Sequence, residues 1–428
     1  MKIRDFVLVG LGQAVAGGGG FLVLKLQGVW LQPEQFGHLV LAINLAGFMQ
    51  GALVAGHSNA ATRYAGEAVA AHEGYWLIRS LLGCMLRRMR WIAPVMALIG
   101  MWVCSTGQVA PSLLLLAALL SLVQAASGVA DGWTLSHGRQ SLFFLMVLCG
   151  TLLRLGLACA GVLLARQWGC SLEAGFLAGF VVAWTLLASG QWLVQRRDWQ
   201  GSRAPDGKRW NGEVSTFSAP FLLWSLAGWV QTAMDRWSLT WWCGHREVGV
   251  FGAASQLCGP PMALGAAVVT NYAAPRLVQS ARSSAAGTSI LARWRLLAWA
   301  GLAALAMAAL VMAVLADRLV VLLLSDNYLA AAPLLPWLVV SAGSAALAQM
   351  LTTPFQVLEP RIVHRMKLAI PLGGAVAALA GAWLWGLPGV IGAGLVTNGS
   401  FLVWAIVALH LPGNETRMQA SRGVSGGT

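Results

Sequence analysis

Residues 142–165 run through 24 positions with a single charge, Arg154, and the rest of the chain keeps returning to that pattern. Comparable apolar runs lie near 6–26, 37–56, 91–104, 113–130, 172–194, 220–242, 250–272, 296–316, 334–353, 368–385 and 390–411, which makes twelve. About 20 apolar residues suffice for a helix to cross a bilayer, and hydrocarbon admits only helices or closed barrels. Only 10% of the 428 residues are charged, against about 25% in a soluble domain. Such a chain cannot coat itself with a water-facing surface. Soluble enzymes, secreted disulfide scaffolds and disordered chains are therefore excluded. The expected fold class is an all-α membrane protein of about twelve transmembrane helices.

The third run is interrupted at its start by Arg87, Arg88 and Arg90, so 75–90 reads as a helix skimming the inner surface or the lower part of a span among headgroups. The net charge of +13 invites a nucleic-acid reading, which fails on where the charges sit. With the N-terminus inside, 22 of the 28 Lys and Arg fall on the inner side. Lys25, Arg166, Arg246 and Arg318 fall on the outer side, and Arg154 and Arg236 within spans. That asymmetry is a topology signal and an attraction to anionic headgroups. It predicts cytoplasmic N- and C-termini. Trp30, Trp102, Trp168, Trp241, Trp242 and Trp385 at outer ends, and Trp133, Trp199 and Trp294 near inner ends, read as interfacial anchors.

The basic start and Ala14-Val15-Ala16 resemble a signal peptide, but the apolar stretch continues for a full span, so it reads as a retained first helix. Seven Cys without metal-like spacing read as small apolar filler, and a Cys170–Cys243 bridge has no sequence support. The stretch 196–218 reads as a cytoplasmic linker between six-helix lobes at 1–195 and 219–411, with a cytoplasmic tail at 412–428. The lobes echo one another. Phe36-Gly37 and Phe251-Gly252 stand 215 positions apart, and Ala60-Ala61-Thr62-Arg63 and Ala273-Ala274-Pro275-Arg276 stand 213 apart. Two parallel repeats of six spans would be related by a pseudo-two-fold axis along the membrane normal, as in several transporters.

Three patches carry a family resemblance: PEQFGHLVLAINLAGFMQGALVAGHSNAATRYAGEA at 33–68, AMDRWSLTWWCGHREVGVFGAASQL at 233–257, and LVVLLLSDNYLAAAPLL at 319–335. They resemble Wzx-type polysaccharide and O-antigen repeat-unit flippases of the multidrug/oligosaccharidyl-lipid/polysaccharide exporter superfamily. The resemblance implies a non-enzymatic flippase that moves an undecaprenyl-pyrophosphate-linked oligosaccharide from the inner to the outer leaflet. Membrane lipids, and a polysaccharide polymerase with its chain-length machinery, are the implied partners of a monomer. Related lipid II flippases carry two further helices, for which this chain has no room.

Catalytic signatures are weak. His72-Glu73 has no second His at zinc-protease spacing, and 201–208 misses the phosphate-loop pattern, with Arg209 where Ser or Thr is required. No resident cofactor or metal is expected, and a coupling ion, H+ or Na+, is left open. What remains is charge inside the membrane. Arg154 has 12 uncharged residues before it and 11 after it, which puts it near the midplane, where an Arg costs at least about 2.5–3.5 kcal/mol. It is expected to face a wet cavity and attract an anionic head. Asp235 and Arg236 lie in the outer half of the seventh span, with Lys25 closing the first span on the same side; these three read as substrate contacts or as a structural ion pair. Asn44 and Asn271, in the paired second and eighth helices, are expected to line the path. The Gly17–Gly20 run and Pro260-Pro261 read as hinges or as close-packing sites. Two rivals remain: a multidrug or organic-cation exporter, which predicts a carboxylate-lined cavity although Asp235 is the only acid expected well inside a span, and a non-transporting scaffold in which Arg154 only packs.

Overall fold

The computed structural model describes residues 3–137, 139–199, 209–282, 287–358 and 360–411, with the side chains at 3–9, 62, 135, 140, 197, 199, 268–269, 271–282, 287–293, 356–358 and 360–362 outside the description. The described residues form helices joined by short turns, in the order α1 (Ile3–Trp30), α2 (Pro33–Val54), α3 (His57–Ala70), α4 (Gly74–Ser105), α5 (Pro111–Ser136), α6 (Gln140–Gln167) and α7 (Leu172–Gln195). Then follow α8 (Arg209–Cys243), α9 (His245–Arg282), α10 (Gly287–Leu323), α11 (Leu335–Leu351), α12 (Thr353–Leu358) and α13 (Pro360–His410). All twelve expected runs fall on these helices. Within the described residues seven stretches are long and apolar enough to cross a membrane, including Ser141–Gln167, Leu172–Gln195 and Trp294–Leu323. The 48-residue stretch Val363–His410 is twice the necessary length, and α13 turns sharply at Gly386 (φ 61°, ψ −137°), so it supplies two spans.

The stretch 75–90, expected as a surface helix or as the lower part of the span, runs on without a break into 91–104 as one helix, α4, of 32 residues. At 1.5 Å per residue this is about 48 Å, well beyond a hydrocarbon thickness of about 30 Å. The connector expected at 196–218 is also largely helical: Arg196–Trp199 form one 3-10 turn and 209–218 open α8, while 200–208 lie outside the described residues. So does the tail at 412–428. The chain separates into two compact units, Met1–Trp229 and Val230–Thr428, with the division inside α8.

In the first unit the core gathers where α2, α3, α4, α5 and α8 end or begin, around Trp133, Trp210, Leu77 and Leu81. Trp210 donates to Glu73 Oε2 at 2.7 Å, and Arg209 pairs with Glu67 and with Glu213. Glu213 holds the Arg209 guanidinium above its ordinary value. In the second unit Trp294, Leu347, Leu351, Phe355 and Leu409 form the corresponding core. These cores correct the aromatic-belt expectation. Trp168 and Trp385 are exposed at 71% and 69%, as interfacial rings should be, but Trp133 and Trp294 are 1% and 3% exposed and are packing residues. The seven Cys are free thiols.

Helix α2 starts on Pro33, with the Gln32 amide donating to Gln35 Oε1 at 3.0 Å. It stops at Ala55-Gly56, where Gly56 takes φ 78° and the chain re-enters a helix as α3. The position excludes a side chain twice over: the left-handed backbone disfavours L-residues, and a Cβ would stand 2.7 Å from Ser218 Cα. The carbonyls freed by the break are taken up by Arg88. Its Nη1 donates to Ala55 O at 2.9 Å and lies 3.2 Å from His57 Nδ1, while Nη2 donates to Ser218 Oγ at 3.0 Å. One guanidinium from α4 thereby joins the end of α2, the start of α3 and the first part of α8.

Close backbone contact fixes α6 against α7. Gly175 and Gly179 sit one turn apart on α7, and a Cβ at Gly175 would stand 2.5 Å from Gly161 O. Small residues four apart let two helix backbones approach where apolar burial gives no net drive, because lipid is as apolar as the partner helix.

Gly56→Ala is expected to lower stability by about 2–4 kcal/mol, from left-handed backbone strain and overpacking together, read as earlier thermal unfolding of the purified protein in detergent. Gly66→Ala, where nothing lies within 4 Å of the added Cβ, should be neutral or stabilise by up to about 1 kcal/mol. Arg88→Ala should cost about 1.5–3 kcal/mol, the value of hydrogen bonds from a charged donor. Arg88→Lys should recover only part of it, since an ammonium cannot fork between Ala55 and Ser218.

Candidate functional site

Arg154 stands near the middle of the 28-residue α6, half-buried. Its Nε donates to Gly150 O at 3.0 Å and its Nη2 to Thr151 Oγ1 at 3.2 Å, both on the preceding turn. The guanidinium carbon lies 5.3 Å from the centroid of the Trp184 ring on α7, close enough for a cation–π attraction. No carboxylate pairs with it among the described residues. The charge is thus supported by helix carbonyl, hydroxyl and indole, none of which neutralises it. An anion arriving there would meet an uncompensated positive charge with donors to spare, because a guanidinium carries five N–H groups.

Arg236 is handled similarly: its Nη1 donates to Thr232 O one turn back on α8 at 2.7 Å. Asp235 is its neighbour in sequence, and no ion pair joins the two among the described residues. Both belong to the second unit, whereas Lys25 is a half-buried residue of α1 in the first. Asn44 is 9% exposed in α2, and its carbonyl accepts from Trp229 Nε1 at 2.8 Å. The Trp229 ring lies 4.4 Å from that of Phe48, so Asn44 stands beside an aromatic pair. Asn271 lies in α9 and its side chain is outside the described residues. Within the first unit, Lys25, Asn44 and Arg154 therefore occupy three different helices, α1, α2 and α6. In the second, Gln231 and Asn398 are 3.5 Å apart and Asn398 Nδ2 donates to Ser341 Oγ at 2.9 Å, so Asn398 ties α13 to α11.

A further acid stands near the end of one apolar stretch. Asp131 lies within the apolar stretch Pro111–Thr134 of α5, half-buried. Gln191 Nε2 of α7 donates to Asp131 Oδ1 at 2.7 Å, and Gln191 Oε1 accepts from Ser127 Oγ at 2.6 Å. One turn further on, Gln195 Nε2 donates to Ala130 O at 2.8 Å and to Thr134 Oγ1 at 2.6 Å. The two glutamines are four apart on α7, as are Ser127 and Asp131 on α5, which makes a polar ladder between facing helices. The spacing is visible in the sequence. It passes unnoticed when the apolar run is taken to end at Ala130, one residue short of the carboxylate.

No family model and no curated protein sequence matches the chain. Solved structures do. An inward-facing multidrug resistance MATE family transporter of the MOP superfamily superposes with a TM-score of 0.60, at 17% identity over 96% of this chain and 99% of its own. Lipid II flippase MurJ, in an inward closed conformation, gives a TM-score of 0.65 at 11% identity over 99% of this chain and 91% of its own. A MOP superfamily transporter from Pyrococcus furiosus gives 0.59 at 16% identity over 95% and 96%. At these identities the likeness concerns the fold: this is a multi-pass, all-helical membrane protein with the architecture of MOP-superfamily transporters.

Proposed function

We propose that the chain is a flippase that carries an undecaprenyl-pyrophosphate-linked oligosaccharide from the inner to the outer leaflet of a bacterial inner membrane, for polysaccharide assembly. The observation that carries this reading is the state of Arg154, a cation halfway along a membrane helix that no carboxylate among the described residues neutralises. A pyrophosphate and its sugars must cross hydrocarbon, where each unsatisfied polar group costs several kcal/mol. A hydrated path with a cation midway reduces that cost for an anionic head. It need bind only weakly, because a tight site would trap the passenger. Alternating access between inward- and outward-open states supplies the movement. With the inside negative, the membrane potential favours outward transfer of an anion by about 2.3 kcal/mol per charge per 100 mV.

Lys25, Asp235, Arg236, Asn44 and Asn271 are the further contacts proposed along the path, with Asp235 tempering the charge of Arg236. The 22-to-4 distribution of basic residues supports cytoplasmic termini. Polymerase and chain-length proteins acting on the same glycan are the proposed partners of a monomeric exporter.

A second reading, an organic-cation or multidrug exporter, is favoured by one specific observation: the half-buried carboxylate of Asp131 inside α5, hydrogen-bonded but without a cationic partner among the described residues. The two readings separate by experiment. In a strain lacking the gene, Arg154→Ala at equal protein level is expected to reduce surface glycan about 10- to 100-fold, matching 1.5–3 kcal/mol for interactions with a charged group. The lipid-linked intermediate should accumulate in the inner leaflet, and Arg154→Lys should restore part of the export. Asp131→Asn is expected to leave glycan export within about twofold, since only one hydrogen-bond partner changes. A deletion that alters drug sensitivity and leaves glycan export intact would refute the flippase.

A further inference from the structure

The two halves carry the same hollow. In the first unit α2, α4 and α5 enclose an apolar crevice of about 310 Å³, and in the second α9, α10 and α11 enclose one of about 410 Å³. On α4 the lining is Ala93, Ala97 and Gly100; on α10 it is Leu297, Gly301 and Ala304, each 204 positions later. Met49 on α2 corresponds to Gly265 on α9 at an offset of 216, and Ala118 on α5 to Leu347 on α11 at an offset of 229. A constant offset along a helix means that the same face is presented in both repeats. The change of offset between helices reflects different loop lengths. The crevices of the two units are therefore lined by corresponding helix faces.

Both crevices are lined by Leu, Ala, Met, Gly and Pro alone, and both open to the surface, where Ala97 and Leu115 are exposed in one and Gly265 and Ala304 in the other. Volumes of this order are those of small-molecule sites, about 300–1,000 Å³. One end of the first is basic. Helix α4 holds Arg87, Arg88 and Arg90 and no acid in its 32 residues, and exposed Arg90 lies three positions before Ala93, on the same face. In α10, Arg293 precedes Leu297 by four positions in the sequence. An apolar slot with a cation at one end matches an amphiphile with a hydrocarbon tail and an anionic head.

We propose that each crevice seats one acyl chain of an anionic bilayer phospholipid, with the headgroup of the first at the basic turn of α4. The doubling argues for a bilayer lipid over the polyprenyl tail of a transported substrate, which is single and has no use for two equivalent slots. The lipid fills space that small side chains leave empty and braces α4 against α2 and α5, and α10 against α9 and α11.

The test uses the full chain in phosphatidylethanolamine nanodiscs doped with phosphatidylglycerol or phosphatidylethanolamine bearing a photoreactive acyl chain, followed by digestion and mass spectrometry. Adducts are expected on α4 and α10, with the phosphatidylglycerol probe favoured roughly fivefold, as about 1 kcal/mol per basic residue near the membrane surface implies. Ala97→Trp should abolish the α4 adduct and leave that on α10, and Ala304→Trp the reverse, so each variant reports that the other half is folded. Arg90→Gln should bring phosphatidylglycerol labelling of the first slot down to the phosphatidylethanolamine level. Equal labelling by both headgroups, adducts indifferent to the two Trp substitutions, or displacement of phosphatidylglycerol from both slots by a polyprenyl phosphate would each overturn the proposal.

Discussion

Backbone carbonyls and amides inside hydrocarbon have no water to bond, so every interruption of a helix must be repaired by the protein itself. The break between α2 and α3 shows how this chain does it. Gly56 supplies the left-handed residue that turns the backbone. Arg88, from a different helix, then bonds the carbonyl left open at Ala55 and reaches on to Ser218. A residue that reads as one more positive charge for the cytoplasmic side is in fact tied to three segments of the first unit. Arg236 bonds the carbonyl of Thr232 in the same spirit, though there the helix is unbroken and the charge is what needs a partner.

Charges within the apolar helices follow two different treatments. Arg154 is held by a carbonyl, a hydroxyl and an indole face, which orient it without cancelling it. Asp131 is held by an amide that is itself held by a serine. In neither case is a counter-charge present among the described residues. Neutralising Arg154 with a carboxylate would have stabilised the helix pair at less electrostatic cost. An arrangement that forgoes this leaves the positive field of Arg154 unscreened by any described carboxylate.

The packing that holds these groups depends on small residues. Gly161, Gly175 and Gly179 bring α6 and α7 into backbone contact, which places Trp184 over Arg154 from the neighbouring helix. The same economy of side-chain volume, repeated on α4 and α10, leaves the paired crevices open. Helices joined through such faces gain little from apolar burial in a bilayer, so shape and hydrogen bonds decide which faces meet.

Hydropathy alone located the apolar segments and their order, because a bilayer imposes a length of about 20 residues that no tertiary contact needs to specify. The special position of Arg154 was legible too, since an isolated charge in 24 apolar residues stands out in any alignment of hydropathy with length. Only the tertiary structure decided that Trp133 and Trp294 are core residues and not interfacial anchors, and that 75–90 continues into the next apolar run as one helix. It also decided what each charge touches. The reason is that hydropathy is a property summed along one helix, whereas burial, hydrogen-bond partners and cavities depend on which faces of different helices meet, and a run of alanine, leucine and glycine looks much the same from every side until its neighbours are in place.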